Sequence, residues 1–305
     1  MTSLPEAEAL ATPVARARRR GRRPLKQNDT WWRHLVAIGA LVFALFPVVY
    51  IVSAAFDATP SLSSAQVFPS HWTLHNFGVI FHDPGTFFGR WYANTIIISI
   101  STSILTVLLG ALAAYAFSRF RFRGRRLGML FLLLIQMFPQ LLALVAIYLI
   151  LLKVGKVFPV IGLNTLLGLI LVYLGGALGI NAWLLKGFFD TIPAELDESA
   201  RVDGATPGQV FWWIILPLGA PVLAVVGLLS FISTINEFVL ASAILQTPHK
   251  YTLPVGMRGF IDQQYGQHWG PFAAGALLAM IPVVVLFQFL QRFIVQGLTQ
   301  GSVKG

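Results

Sequence analysis

Six stretches of this 305-residue chain are long and apolar enough to cross a bilayer, at roughly 35–56, 93–117, 127–152, 163–185, 214–245 and 272–296. A helix needs about 20 mainly apolar residues to span the hydrocarbon core, where every backbone polar group must be satisfied within the protein. None of the six alternates apolar and polar residues over its length, which argues against a transmembrane barrel. The expected fold is therefore an all-α integral membrane protein with six transmembrane helices. The fifth stretch contains Pro217 and Pro221, so its limits stay open. Only 11% of the residues are charged, against about 25% in soluble domains. A soluble surface cannot be built from that supply.

The formal net charge of +10 resembles a nucleic-acid signal until it is located. Thirteen of the 22 Lys and Arg residues lie in 16–33 and 119–126, each beside an apolar block. Such clusters mark cytoplasmic flanks, and no nucleic-acid partner is expected. With both termini inside, 17 basic residues are cytoplasmic and 5 external. Residues 1–30 read as a basic, disordered cytoplasmic arm, and 31–305 as the six-helix domain with a cytoplasmic tail at 297–305. The run Leu35–Val52 covers 18 residues, longer than a usual signal-peptide core, so an uncleaved first helix is expected.

Enzymatic chemistry has no visible carrier. There is no GxxxxGK[ST], HExxH or GxSxG, and no cysteine for a thiolate site. His71 and His75 are four residues apart, but a solvated external loop explains them better than a metal site. The expectation is a chain that is not an enzyme and binds no cofactor itself.

The stretch 190–217 departs from the rest. It carries five carboxylates (Asp190, Glu195, Asp197, Glu198, Asp203) out of 12 in the whole chain, in a loop that should be cytoplasmic. Pro193 and Glu195 suit a first helical turn. Asp197 and Arg201 have the i,i+4 spacing of a helical ion pair, and Gly204 follows as a left-handed stop. Thr206-Pro207-Gly208-Gln209 then forms a capping box with proline at the first position. A helix of about ten residues is too short to stand alone. Ser199, Ala200, Gly204 and Ala205 offer a small-residue surface, so the helix reads as a peg for a partner's groove; a solvated connecting loop is the alternative.

Glu198-Ser199-Ala200, three residues, Gly204, nine residues, then Ile214-x-Leu216-Pro217 resembles the EAA loop of ABC importer permeases, with Ser199 in place of the second alanine. The resemblance implies that Glu195, Glu198, Ser199, Ala200, Asp203, Gly204, Ala205, Leu216 and Pro217 serve docking to an ATPase subunit. From about residue 35 onward the chain resembles the permease subunit of maltose/maltodextrin importers (the MalG type). Gln136-Met-Phe-Pro139, Gly162-Leu-Asn-Thr165, Tyr173-Leu-Gly-Gly176, Asp203-Gly-Ala-Thr-Pro207 and Gly297–Gly305 carry that likeness; the basic arm has no counterpart in it. It implies a bacterial inner-membrane importer with a second, MalF-like permease, two MalK-like ATPase subunits holding ATP and Mg, and an extracytoplasmic sugar-binding protein. Trehalose or another oligosaccharide is the alternative cargo, and a secondary transporter the alternative class.

Within the bundle, Glu237 with Asn236 is a candidate for the sugar path or for contact with the second permease, since an ionisable group at membrane depth is a functional hypothesis by default. The alternative for Glu237 is a carboxylate reaching water. Pro139 and Pro282 sit mid-span and predict kinks. Gly175, Gly176 and Gly179, and Gly275 with Ala279, predict close helix packing. Tyr251, Gln263, Gln264, Tyr265 and Trp269 in the external 246–271 loop are candidates for contact with the binding protein.

Overall fold

The computed structural model describes residues 31–58, 68–69, 71–262 and 268–301, with backbone alone for Gln140 and 295–301. The arm at 1–30 and the end of the tail at 302–305 lie outside the described residues. Two compact units are present, one ending at Pro47 and one beginning at Val48. The described part of the first is the helical stretch 31–47, whose apolar side chains are exposed. The helix that contains it, α1 (Trp31–Phe56), is 26 residues long with no carboxylate in its first turn.

The second unit contains twelve further α-helices among the described residues. They are α2 (His75–His82), α3 (Phe88–Arg119), α4 (Arg125–Met137), α5 (Gln140–Val157), α6 (Leu166–Phe189), α7 (Ala194–Val202), α8 (Pro207–Val210), α9 (Leu216–Leu218), α10 (Ala220–Ile235), α11 (Val239–Ile244), α12 (Leu253–Met257) and α13 (Trp269–Gly301). A π-helical turn, Phe211–Ile215, joins α8 to α9. The described residues form no strand beyond the isolated Asp57–Trp72 bridge.

Four helices (α1, α3, α6, α13) are unbroken candidate spans, and two bent pairs bring the number to six. The third and fifth blocks are thus not single rods. The third breaks at Phe138–Pro139, both in extended conformation, between α4 and α5. Proline lacks the amide that would continue the ladder and disfavours helix in the preceding residue. At this position it ends the helix, a larger effect than the expected kink, whereas Pro282 lies inside unbroken α13. The fifth block bends by 78° between Leu218 and Ala220. Gly219 sits at that corner, where a Cβ would come within 2.9 Å of the Phe189 ring.

Packing centres on α3, which lies against α6 and α10. One face of α3 buries Thr95, Ser99, Thr102, Ser103 and Thr106, and the Ser103 hydroxyl donates to the Gly227 carbonyl at 2.7 Å. Small polar residues are common where membrane helices meet, because they permit close backbones and bond across the contact. Gly179 follows the same logic: a Cβ there would sit 2.8 Å from the Leu132 carbonyl, so glycine lets α4 approach α6. Gly175 faces open space instead. A core of Ala111, Tyr115, Leu185, Phe189, Phe211 and Ile215 fills the end of the bundle beneath α7.

Candidate functional site

The segment 190–217 folds much as its local signals require. Pro193 precedes α7, and Glu195 and Asp197 occupy its first turn, where carboxylates meet the positive end of the helix dipole. At the other end Gly204 has φ +86°. The Gly204 amide donates to the Arg201 carbonyl at 3.0 Å and the Ala205 amide to the Ala200 carbonyl at 2.9 Å. Those two bonds are the Schellman closure, which needs a residue free to adopt the left-handed region. Thr206 and Gln209 then bond reciprocally as a capping box, with Pro207 at the first helical position. The expected helix, stop and second helix are all present.

The expected Asp197–Arg201 pair is not. Asp197 is 3% exposed and points inward, where its Oδ2 lies 2.7 Å from Arg119 Nε at the end of α3. Arg119 Nη2 also donates to the Ile192 carbonyl at 2.9 Å. Arg201 is exposed, and the Tyr115 hydroxyl near it donates to the Pro207 carbonyl at 3.2 Å. A buried carboxylate needs a partner it can reach without water. Arg119 thus holds Asp197 by charge and the backbone just before α7 by a hydrogen bond. One guanidinium therefore joins the short helix to α3, the helix on which the packing centres.

Beside this joint, the Ser118 hydroxyl donates to Asp190 Oδ1 at 2.7 Å, and Lys186 pairs with Asp190 Oδ2. Burial alone would raise the Asp190 pKa. The bonds from Lys186 and Ser118, with the charges of Lys186 and Arg125, outweigh it and hold the group below the ordinary 3.8.

Residues of the docking set fall into two groups. Glu195, Glu198, Ser199, Asp203, Gly204 and Pro217 are exposed, and Val202 at the tip of α7 is 87% exposed. Ala200, Ala205 and Leu216 pack against the core beneath the helix. The small-residue surface is thus divided: its alanines seat α7 on its own bundle, while its outer side is acidic with an apolar tip. Leu196 and Val202, both exposed on α7, were not singled out by the sequence. Their only local signal is that they are apolar residues in a helix of otherwise polar character.

At the other end of the bundle, Glu237 lies in the break between α10 and α11, not within a continuous fifth span. Its carboxylate accepts from the amides of Leu240 (2.8 Å) and Ala241 (3.0 Å), and from the Tyr173 hydroxyl at 2.5 Å. It caps α11 and ties it to α6. Asn236 is exposed and donates to the Ile232 carbonyl. Tyr251 is half-buried between two apolar clusters, and Trp269 opens α13 with its ring edge-on to Phe272. Gln263, Gln264 and Tyr265 lie outside the described residues.

Asn164, unremarked in the sequence except as part of a motif, pins this end together. It has φ 58°, and its Oδ1 accepts from the amides of Gln246 and Thr247, while its carbonyl accepts from Lys250. Trp91 and Asn94 on α3 hold the same connection through the carbonyls of Pro248, His249 and Tyr251.

Residues 106–300 match the family described as the binding-protein-dependent transport system inner membrane component. Among curated relatives, the galactooligosaccharides transport system permease protein GanQ of Bacillus subtilis (strain 168) is 41% identical over 265 residues, covering 87% of this chain and 92% of that protein. The maltodextrin transport system permease protein MdxG of the same organism is 39% identical with the same coverage. The maltose/maltodextrin transport system permease protein MalG of Vibrio vulnificus (strain YJ016) is 41% identical over 285 residues, covering 90% and 96%. A bacterial ABC transporter involved in the import of the acidic polysaccharide alginate contains a chain with TM-score 0.70 and 25% identity, covering 88% of this chain and 99% of that one.

Proposed function

Because the chain belongs to the family of binding-protein-dependent transport inner membrane components, in which ATP is hydrolysed by separate subunits, we propose that it forms half of the translocation path of a maltodextrin importer. MalG and MdxG, at 41% and 39% identity, support maltodextrin as cargo. The identity to GanQ is as high, so galactooligosaccharides are the second reading. The partners in this reading are a second, MalF-like permease, two MalK-like ATPases that hold ATP and Mg, and an extracytoplasmic binding protein. The protein is an inner-membrane component with several apolar spans, and the basic flanks favour both termini in the cytoplasm.

The observation that carries the mechanism is the construction of α7. Its outer side presents Glu195, Glu198, Ser199, Asp203 and the exposed Val202, and its inner side is clamped to α3 by Arg119 and Asp197. Such a helix can receive a push from a partner on one side and pass it to the bundle on the other. ATP binding closes the partner ATPases, α7 moves with them, and the six spans exchange inward for outward opening. This chain contributes path and joint.

Two measurements test the proposal. Uptake of labelled maltose, maltotriose, trehalose and a galactooligosaccharide is compared in cells with and without the chain. Selective loss of maltose and maltotriose uptake supports the maltodextrin reading, and selective loss of another sugar replaces it. Gly204→Asp is then expected to uncouple ATP hydrolysis from uptake while the complex still inserts. Full uptake by that variant refutes the docking role of α7.

A further inference from the structure

Close to the same end of the bundle, α4 and α6 leave a groove of about 530 Å³ between them. Its walls are apolar, with Phe117 from α3, Met129 and Leu133 from α4, and Trp183 from α6. Its rim is basic, formed by Arg125, Arg126 and Lys186. Arg121 and Arg123 continue the positive surface outside the groove, around a neighbouring depression lined by residues 121–127.

The three rim cations are not equally committed. Lys186 is paired with Asp190, and Arg125 donates to the Ser118 carbonyl at 3.3 Å. Arg126 is exposed and makes no side-chain hydrogen bond or ion pair among the described residues. It also stands in the first turn of α4, whose N-cap is Gly124 with φ +87° and no side-chain cap. The Arg125 amide donates to the Phe122 carbonyl at 3.4 Å, which leaves the amides of Arg126 and Leu127 to face an anion, and the helix dipole adds to the arginine charge. One turn beyond the rim the surroundings become hydrocarbon: Leu130 and Leu134 on α4 are 55% and 62% exposed, and Trp183 is 50% exposed.

We propose that this groove binds an anionic phospholipid of the adjoining leaflet, its phosphate held by Arg126 and the first turn of α4 and one acyl chain lying against Met129, Leu133 and Trp183. The argument is charge and shape together. A soluble phosphate matches the rim and leaves the apolar walls wet, whereas a zwitterionic lipid matches the walls and gains little net attraction from the rim. Basic pockets between spanning helices on the cytoplasmic side are where acidic headgroups gain most. The site rests on α4 and α6 crossing the membrane and is independent of the sugar carried.

The test uses the assembled importer, purified in neutral detergent, with phosphatidylglycerol and phosphatidylcholine of matched chains as probes in native mass spectrometry. Phosphatidylglycerol is expected to bind more tightly, and Arg126→Gln to weaken it by about fivefold, the factor expected for one basic residue near a membrane surface. Met129→Trp, which fills the groove and keeps every charge, is expected to weaken both lipids. Arg123→Gln, with the same charge change outside the groove, is expected to leave binding unaltered. Equal binding of the two lipids, or equal loss in Arg123→Gln and Arg126→Gln, overturns the proposal in favour of diffuse attraction. Displacement of the bound lipid by millimolar glycerol phosphate overturns it in favour of a soluble anion. Absence of bound phosphatidylglycerol from the parent complex means that a partner protein covers the groove, which overturns it too.

Discussion

Removing one member of the Arg119–Asp197 pair tests whether α7 is joined to the bundle by that contact. The two side chains are 9% and 5% exposed, so neither can be rehydrated without moving α7. In Asp197→Asn the guanidinium loses its counter-charge and faces only neutral carbonyl oxygens, and in Arg119→Met the carboxylate loses its counter-charge. Breaking a buried pair from one side costs about 3–5 kcal/mol, because an uncompensated charge stays behind. Replacing both partners with apolar residues of similar size, Arg119→Met with Asp197→Leu, removes both charges and is often close to neutral. Thermal unfolding of the purified complex should therefore rank the double variant above either single variant. In proteoliposomes the single variants should lose sugar uptake more steeply than ATP hydrolysis, since a loosened α7 no longer carries α3 with it. The reasoning fails if the double variant loses as much stability as the two single variants summed. It also fails if uptake and hydrolysis fall in proportion.

Glu237→Gln keeps one carbonyl oxygen but sets an amide group against donors that now find carboxylate, so a buried donor goes unsatisfied at a cost of about 1–3 kcal/mol. Reduced thermal stability and lower membrane abundance are expected; normal abundance with lost uptake would return the residue to the sugar path. Asp190 predicts an acid-sensitive contribution: its folded pKa is held below 3.8, so the stabilisation is present above that value and lost as pH falls through the folded one. Asp190→Asn should flatten the acid limb of the complex's stability profile below the ordinary aspartate range, and an unchanged limb would show that the network with Lys186 and Ser118 contributes nothing there.

Much of the site was legible because its signals are local. Pro193, Gly204 and the Thr206–Gln209 box act on amides and carbonyls within five residues, so the helix, its stop and its successor could be placed from residue type and spacing. The identity of the EAA-like loop rested on residues within 20 positions of one another. Where two local readings competed, spacing misled: Arg201 stands one turn from Asp197, yet the carboxylate turns to Arg119, 78 positions away. Burial decides that choice, because the inward side of α7 excludes the water that would make an exposed i,i+4 pair adequate. Glu237 is similar. Read within a continuous span it looked like a polar group at membrane depth, but the chain breaks at 236–238 and its carboxylate caps the helix that follows.

By itself the sequence determined that this chain belongs in a bilayer, which blocks supply its candidate spans, and where a short capped helix interrupts them. Those properties follow from summed hydropathy and from backbone bonds that close within one turn. Only the tertiary structure decided which face of each span packs inward, where the third and fifth spans break, and which distant charges meet. The physical reason is the solvent. Lipid tails are as apolar as the core, so hydropathy carries little record of which side faces protein. The contacts that choose the packing, such as Ser103 on Gly227, Asn164 on Gln246 and Thr247, and Arg119 on Asp197, exist only once the helices are side by side.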